Sequence, residues 1–214
     1  MKTSKWTGTI LLAAIFVTAL YAMAVDKPFP GRYMLMGDSA QLLEGDNLLV
    51  EDFISPTCPS CYLFWENHKP FGGDVVEKRY YVFQHSHGYL PISMLLVARG
   101  ISPEMEEKLL NALFKAKFVG KVNIEDEEIL DAIAQSIGMG DPWKKKKDSE
   151  ELKAEMKKLE EFLAERGVER TPRIIVQHVA VHSPKISGCR SEEMDNVINE
   201  TLDNLRRYRQ EHGR

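Results

Sequence analysis

At 214 residues, 43% hydrophobic and 28% charged, the chain has the composition of an ordinary globular protein and the length for one domain with a sizeable core. Its formal net charge of −4 argues against a nucleic-acid partner, which would need a clustered basic face. Three cysteines are too few for a disulfide scaffold, and no internal repeat is visible.

Residues 1–25 stand apart. Lys2 and Lys5 precede an uncharged run from Trp6 to Val25, with Ala22-Met23-Ala24 near its end. A basic start, an apolar middle and an A-x-A ending read as an export signal cleaved after Ala24. The same run, at about 1.5 Å rise per residue, is also long enough for an uncleaved anchor. In both cases the chain after Asp26 faces outward, and residues 6–25 touch the membrane lastingly only if they are retained.

Asp26 to Asp46 carries Pro28, Pro30, Gly31, Gly37 and Gly45 around an apolar patch at Tyr33 to Met36, which predicts a lead-in loop and one edge strand. Asn47 to Ile54 predicts a buried strand, Ser55-Pro56-Thr57 a turn, and Cys58 to His68 a helix stopped by Lys69-Pro70 and Gly72-Gly73. Val75 to Gln84, rich in Val, Tyr and Phe, predicts a second core strand. The pattern is then helical from Leu90 to Gly167. A short helix spans Pro91 to Ala98. The next opens at Ser102-Pro103, with Glu106 as capping-box partner and an apolar stripe of Leu109, Leu110, Leu113, Phe114 and Phe118. Glu125 to Ile137 ends at Gly138, and Asp148 to Arg166 is opened by Ser149 and closed by Gly167. Lys144 to Lys147 between them reads as a solvated loop. Strand signals return at Arg173 to Gln177 and Val179 to Val181. A turn or irregular stretch through Ser183-Pro184 and a last helix from Ser191 to Arg209 follow. This order implies an α/β protein whose sheet has both parallel and antiparallel neighbours.

The chemistry-bearing motif is Cys58-Pro59-Ser60-Cys61, at the junction of a strand and a helix. Two thiols three residues apart on a first helical turn can close into a small disulfide ring, or open to a dithiol, with little movement elsewhere. Cys58 sits beside the unpaired N–H groups of the helix N-terminus, whose partial positive charge favours thiolate, so Cys58 is the nucleophile and Cys61 the resolving thiol. Pro59 fixes φ near the helical value and lacks an N–H, which costs nothing at a helix opening. Ser60 can donate a hydroxyl hydrogen bond to the sulfur but carries no charge. Zinc ribbons share the spacing but need two further ligands. Cys189 is solitary and His178 and His182 lie in or beside a strand, so no metal is assigned.

With Thr171-Pro172 at the head of a later strand, the pattern resembles the thioredoxin superfamily, in which a cis-proline loop faces the C-x-x-C. The helical block between the two resembles the DsbA-like branch of exported thiol-disulfide oxidoreductases. Asp52-Phe53-Ile54-Ser55-Pro56-Thr57-Cys58-Pro59-Ser60-Cys61-Tyr62 is similar to that family's acidic residue, strand end and C-P-x-C-Y site. The resemblance covers about residues 46 to 209. Ser60 departs from it, standing where the strongest oxidants carry histidine, which predicts a milder disulfide.

The resemblance implies a thioredoxin-like fold, a mixed central sheet flanked by helices, in a first part at 26–88 and a second at 168–214 around an inserted helical subdomain at 89–167. It implies an enzyme that forms or rearranges disulfides in exported proteins. Asp52 would be a buried acid accepting a proton from Cys61, while Pro59, Ser60, Thr171 and Pro172 hold the substrate. The cysteine pair carries the electrons, so no cofactor is implied. The partners would be cysteine-bearing exported proteins and a membrane quinone-linked thiol oxidase, in the periplasm or on the outer face of the cell membrane. A reductase or isomerase would use the same residues.

Three features carry second readings. Asp52 also fits a solvent-facing position on an alternating strand. Cys189, after Gly188, is either a buried small hydrophobe or a third redox thiol. His85-Ser86-His87 beside a cysteine pair invites a copper-chaperone reading, against which exposed loop histidines are the plainer account.

Overall fold

The computed structural model describes residues 27–83 and 87–213. The expected leader or anchor at 1–25 and two residues of the His85-Ser86-His87 motif lie outside them. Among the described residues no helix is long and apolar enough to cross a membrane.

Five strands form one sheet: β1 (Met34–Leu35), β2 (Leu48–Ile54), β3 (Val75–Tyr81), β4 (Arg173–Val176) and β5 (Ala180–His182), in the order β1-β5-β4-β2-β3. β2 and β3 are parallel and every other pairing is antiparallel, the mixed sheet that the element order requires. β2 is flanked on both edges and covered on both faces, which is why it reads as an almost continuous apolar run. Leu48, Val50 and Ile54 belong to the main core on one face, and Phe53 to a smaller cluster with Leu163, Val168 and Ile175 on the other.

β3 corrects the expectation of a second core strand. It lies at the sheet edge, ends at Tyr81, and leaves Val76 exposed. Its Val and Tyr content reflects β propensity rather than burial on two faces.

Helix α1 (Pro59–Asn67) connects β2 to β3. Among the described residues five α-helices then run between β3 and β4: α2 (Tyr89–Arg99), α3 (Pro103–Phe114), which continues into a π-helical turn (Lys115–Val119), α4 (Glu127–Ile137), α5 (Gly140–Lys146) and α6 (Glu150–Glu165). α2 buries every residue from Pro91 to Ala98 and is the hub of this block. Ser102 caps α3 through the Met105 N–H at 3.1 Å. The third helical position is therefore Met105, and Glu106 is not the capping-box partner expected. It turns inward to Arg99 and to the Tyr81 hydroxyl, each at 2.7 Å.

The lysine run is a second correction. Lys144 to Lys146 form the last turn of α5 and Lys147 its C-cap, where cations favour the negative end of the helix dipole. Trp143 anchors that short helix, fully buried with its indole N–H on Asp131 at 2.8 Å. Past β5, Ser183-Pro184 opens a short helix α7 (Pro184–Ser187), a single turn where a turn or irregular stretch was expected. α8 (Met194–Glu211) closes the fold, burying Met194, Val197, Ile198, Leu202 and Leu205 along one stripe.

Candidate active site

β2 delivers the chain to the top of the sheet at Ile54, and the turn that follows leaves Cys58 as the N-cap of α1, with Pro59 at its first position. The Cys58 sulfur accepts from the Cys61 N–H at 3.3 Å, as a capping oxygen would, and its thiol donates to the Thr171 carbonyl at 3.4 Å. That second contact bridges 113 residues of sequence. The Thr171–Pro172 peptide bond is cis. The motif at the helix tip and the loop before β4 thus meet at one sulfur.

The two thiols are unbonded and unlike. A hydrogen bond from the Cys61 thiol holds the Cys58 pKa down to about 6. Partial burial opposes this, while the Thr171 side chain and the backbone N–H groups of Cys61 and Ser60 add to it. The contribution of Ser60 comes from its backbone, not from the hydroxyl that the sequence suggested. Cys61 is fully buried, and its sulfur accepts from the Ser55 N–H at 3.5 Å. Burial, and then the hydrogen bond and charge of Cys58, push its pKa well above the ordinary thiol value. One sulfur is therefore reactive and reachable at neutral pH, while the other keeps its proton until a bond to it is made or broken.

Asp52 shares a face of β2 with Val50 and Ile54, below α1. It is buried, at 2% exposure, which removes the solvent-facing reading. One of its oxygens has no hydrogen-bond partner in the structure. Burial pushes its pKa up to about 7, against the pull of Arg79 and His68, with Glu77 and Asp195 raising it further. The parallel register sets Asp52 opposite Arg79 and Val50 opposite Glu77. His68, the C-cap of α1, places one ring nitrogen 2.9 Å from Asp195 and the other 3.0 Å from Glu77. Against the cost of burial, these two carboxylates hold the imidazole up at about 10, so it is a cation at neutral pH.

Asp52, His68 and Glu77 bring their ligand atoms within 4.8 Å of one another, close enough for a metal ion. Both His68 nitrogens are already engaged by carboxylates and Arg79 supplies a further cation, so the grouping is a charge network around a protonated imidazole. Among the described residues, Cys58 and Cys61 belong to no such grouping.

Sequence reasoning missed His68, Glu77, Arg79 and Asp195. They come from three elements and have no shared spacing. The one local signal is the alternation of Glu77 and Arg79 on β3, which places both on the face that Asp52 uses. Cys189 packs partly buried against the main core, with its thiol pKa raised by burial, the reverse of activation. His87 is an exposed side chain 3.5 Å from Glu125.

No family profile matches the sequence, and no curated protein matches it. Solved structures do. DsbA from Pseudomonas aeruginosa superposes with a TM-score of 0.62 at 17% identity, over 86% of this chain and 95% of that one. The oxidoreductase NmDsbA1 from N. meningitidis gives 0.61 at 18% identity, over 84% and 94%. The oxidoreductase DsbA from Xylella fastidiosa gives 0.60 at 17% identity, over 76% and 88%. At these identities the likeness is one of fold, and that fold is DsbA-like: a thioredoxin-type mixed sheet with a helical block inserted between its third and fourth strands.

Proposed function

We propose that the protein is a thiol-disulfide oxidoreductase acting on cysteine-bearing proteins. The observation that carries this reading is the division of labour between two sulfurs on one helical turn. Cys58 is partly exposed and held as thiolate by the groups around it, and Cys61 is buried and protonated.

In the oxidising direction, a substrate thiolate attacks the Cys58 sulfur of the Cys58–Cys61 disulfide. The ring bond breaks and its electron pair leaves on Cys61, which takes up a proton. Asp52 is the proton source in this proposal, since an acid that titrates near 7 is half protonated at neutral pH. A second substrate thiolate then attacks the substrate sulfur of the mixed disulfide, releasing Cys58. The groups that favour the Cys58 thiolate favour that departure. Two electrons have moved from the substrate to the cysteine pair, and the substrate carries a new disulfide. Substrate is held along Thr171 as an added extended segment, an interaction made through backbone groups and therefore tolerant of sequence.

Thiolate stabilisation in the reduced form makes the disulfide an oxidant. This supports disulfide formation in exported proteins, with recharging by a membrane quinone-linked thiol oxidase. Because residue 60 brings no charge, we expect a potential more reducing than that of the strongest oxidants of this fold. Equilibration with glutathione measures it. Reoxidation of a reduced peptide and reduction of insulin, run with wild type and Cys58→Ser, test the activity itself. Wild type is expected to catalyse at least one of them and the variant neither. Equal rates for the two proteins would refute the assignment.

A further inference from the structure

Beside the Thr171–Pro172 loop lies a groove of about 380 Å³. Ser60, two residues from Cys58, lines it together with Thr171 and Pro172, so the groove adjoins the cysteine pair. The far side is made by the residues before β4 and by the short helix α7.

Its lining carries more cations than acids. Arg170, Arg173 and Lys185 line it, with Glu169 the one acid among its described residues. Arg170 and Lys185 are exposed, and no carboxylate among the described residues pairs with either. Arg173 spends its guanidinium on the Gly167 carbonyl at 2.6 Å and on the Met36 sulfur at 3.2 Å, and the Glu169 carboxylate acts on its charge. Three cations converge here on a chain of net charge −4. Two exposed apolar side chains, Met34 and Ile186, complete the lining.

We propose that this groove selects its substrates by charge: it takes an extended protein segment with acidic side chains within a few residues of the reacting cysteine, and an apolar side chain resting on Met34 and Ile186. The proposal rests on the thiol-disulfide reading above. Backbone pairing along Thr171 is blind to side chains, whereas Arg170, Arg173 and Lys185 discriminate among the segments so held. An acidic segment reaches the sulfur faster and stays longer than a basic one. Exposed ion pairs are individually weak, so two or three together amount to a preference of about tenfold at low salt.

The test uses the full chain, oxidised, and two peptides of equal length. Each has one cysteine and one leucine, flanked in one by glutamates and in the other by lysines. Each rate is divided by the same peptide's rate with the neutral bis(2-hydroxyethyl) disulfide, which removes differences in intrinsic thiol reactivity. The glutamate peptide is expected to be favoured about tenfold at low ionic strength, and the preference to fall towards parity in about 0.5 M salt. Arg170→Glu with Lys185→Glu is expected to invert it. Equal normalised rates at low salt, or a preference that salt does not weaken, would overturn the proposal. If neither peptide reacts faster with wild type than with Cys58→Ser, the oxidoreductase reading itself fails.

Discussion

Glu51 and Asp52 are neighbours on β2, equally buried at 1% and 2% exposure, and they face opposite sides of the sheet. Glu51 has both oxygens occupied, one by Arg166 at 2.9 Å and the other by His178 at 3.1 Å. Asp52 has an oxygen with no hydrogen-bond partner. The pair shows that burial alone does not make a carboxylate functional. A buried acid whose lone pairs are matched ties elements together, here β2 to the C-cap of α6 and the β4–β5 turn. A buried acid left partly unmatched, below the cysteine pair, is one that can hold or release a proton near neutral pH.

The largest consequence concerns stability against pH. Asp52 has a folded pKa of about 7 against an ordinary 3.8, so between those values the native state holds a proton that the unfolded state has lost. Its contribution is fully present below about pH 4 and disappears as pH rises through 7. The span is roughly 4 kcal/mol, three pH units at about 1.4 kcal/mol each. Denaturant midpoints taken from pH 4 to 8 should fall for wild type by a margin that Asp52→Asn removes. In the oxidising direction the same variant should slow formation of the mixed disulfide, the step in which Cys61 takes up a proton, and leave its release by the second substrate thiolate unchanged. A variant with the wild-type slope would show that Asp52 does not titrate in this range.

Glu51→Ala tests the other half of the comparison. It leaves the Arg166 guanidinium and His178 without their shared carboxylate and should cost about 2–3 kcal/mol, the loss of hydrogen bonds to a charged group. Chemical denaturation measures it, and the Cys58 titration should stay where it is. A change in that titration would mean that the two faces of β2 are not separate.

How far this division could be read from the sequence follows from the range of each signal. The cysteine pair, its place at a helix opening and the proline 114 positions later than Cys58 were legible, because C-x-x-C and a proline at a strand head are local patterns. The buried strand around Asp52 was legible from its unbroken apolar run. The partners of Asp52 were not. His68 ends a helix, Glu77 and Arg79 sit on an edge strand, and Asp195 opens the last helix, so only the folded chain brings them together. Likewise Lys144 to Lys147 look like a loop until Trp143 is seen to anchor them, and Glu106 looks like a cap until Arg99 and Tyr81 are found beside it. Composition at these positions reports exposure or capping chemistry, but not which distant group answers it.

The smallest expected effect sharpens the Asp52 side. His68 is a cation held between Asp195 and Glu77, and its charge lowers the Asp52 pKa. His68→Gln should raise the Asp52 titration by about a unit or less, moving the pH window of stability upward. In wild type the His68 imidazole signals should not titrate until about pH 10. Because that pKa is raised, the stability that His68 contributes is fully present below pH 6.5 and lost as pH rises through 10. An imidazole that titrates at its ordinary value would show the two carboxylate contacts to be absent in solution.

The central claim is that Cys58 is the thiolate of an unequal pair, and ultraviolet absorbance of the reduced protein against pH tests it most directly. The expected result is a thiolate transition centred at about pH 6 that Cys58→Ser abolishes, with Cys61 staying protonated above the ordinary thiol range. A first transition near 9, or one that survives Cys58→Ser, would contradict the account.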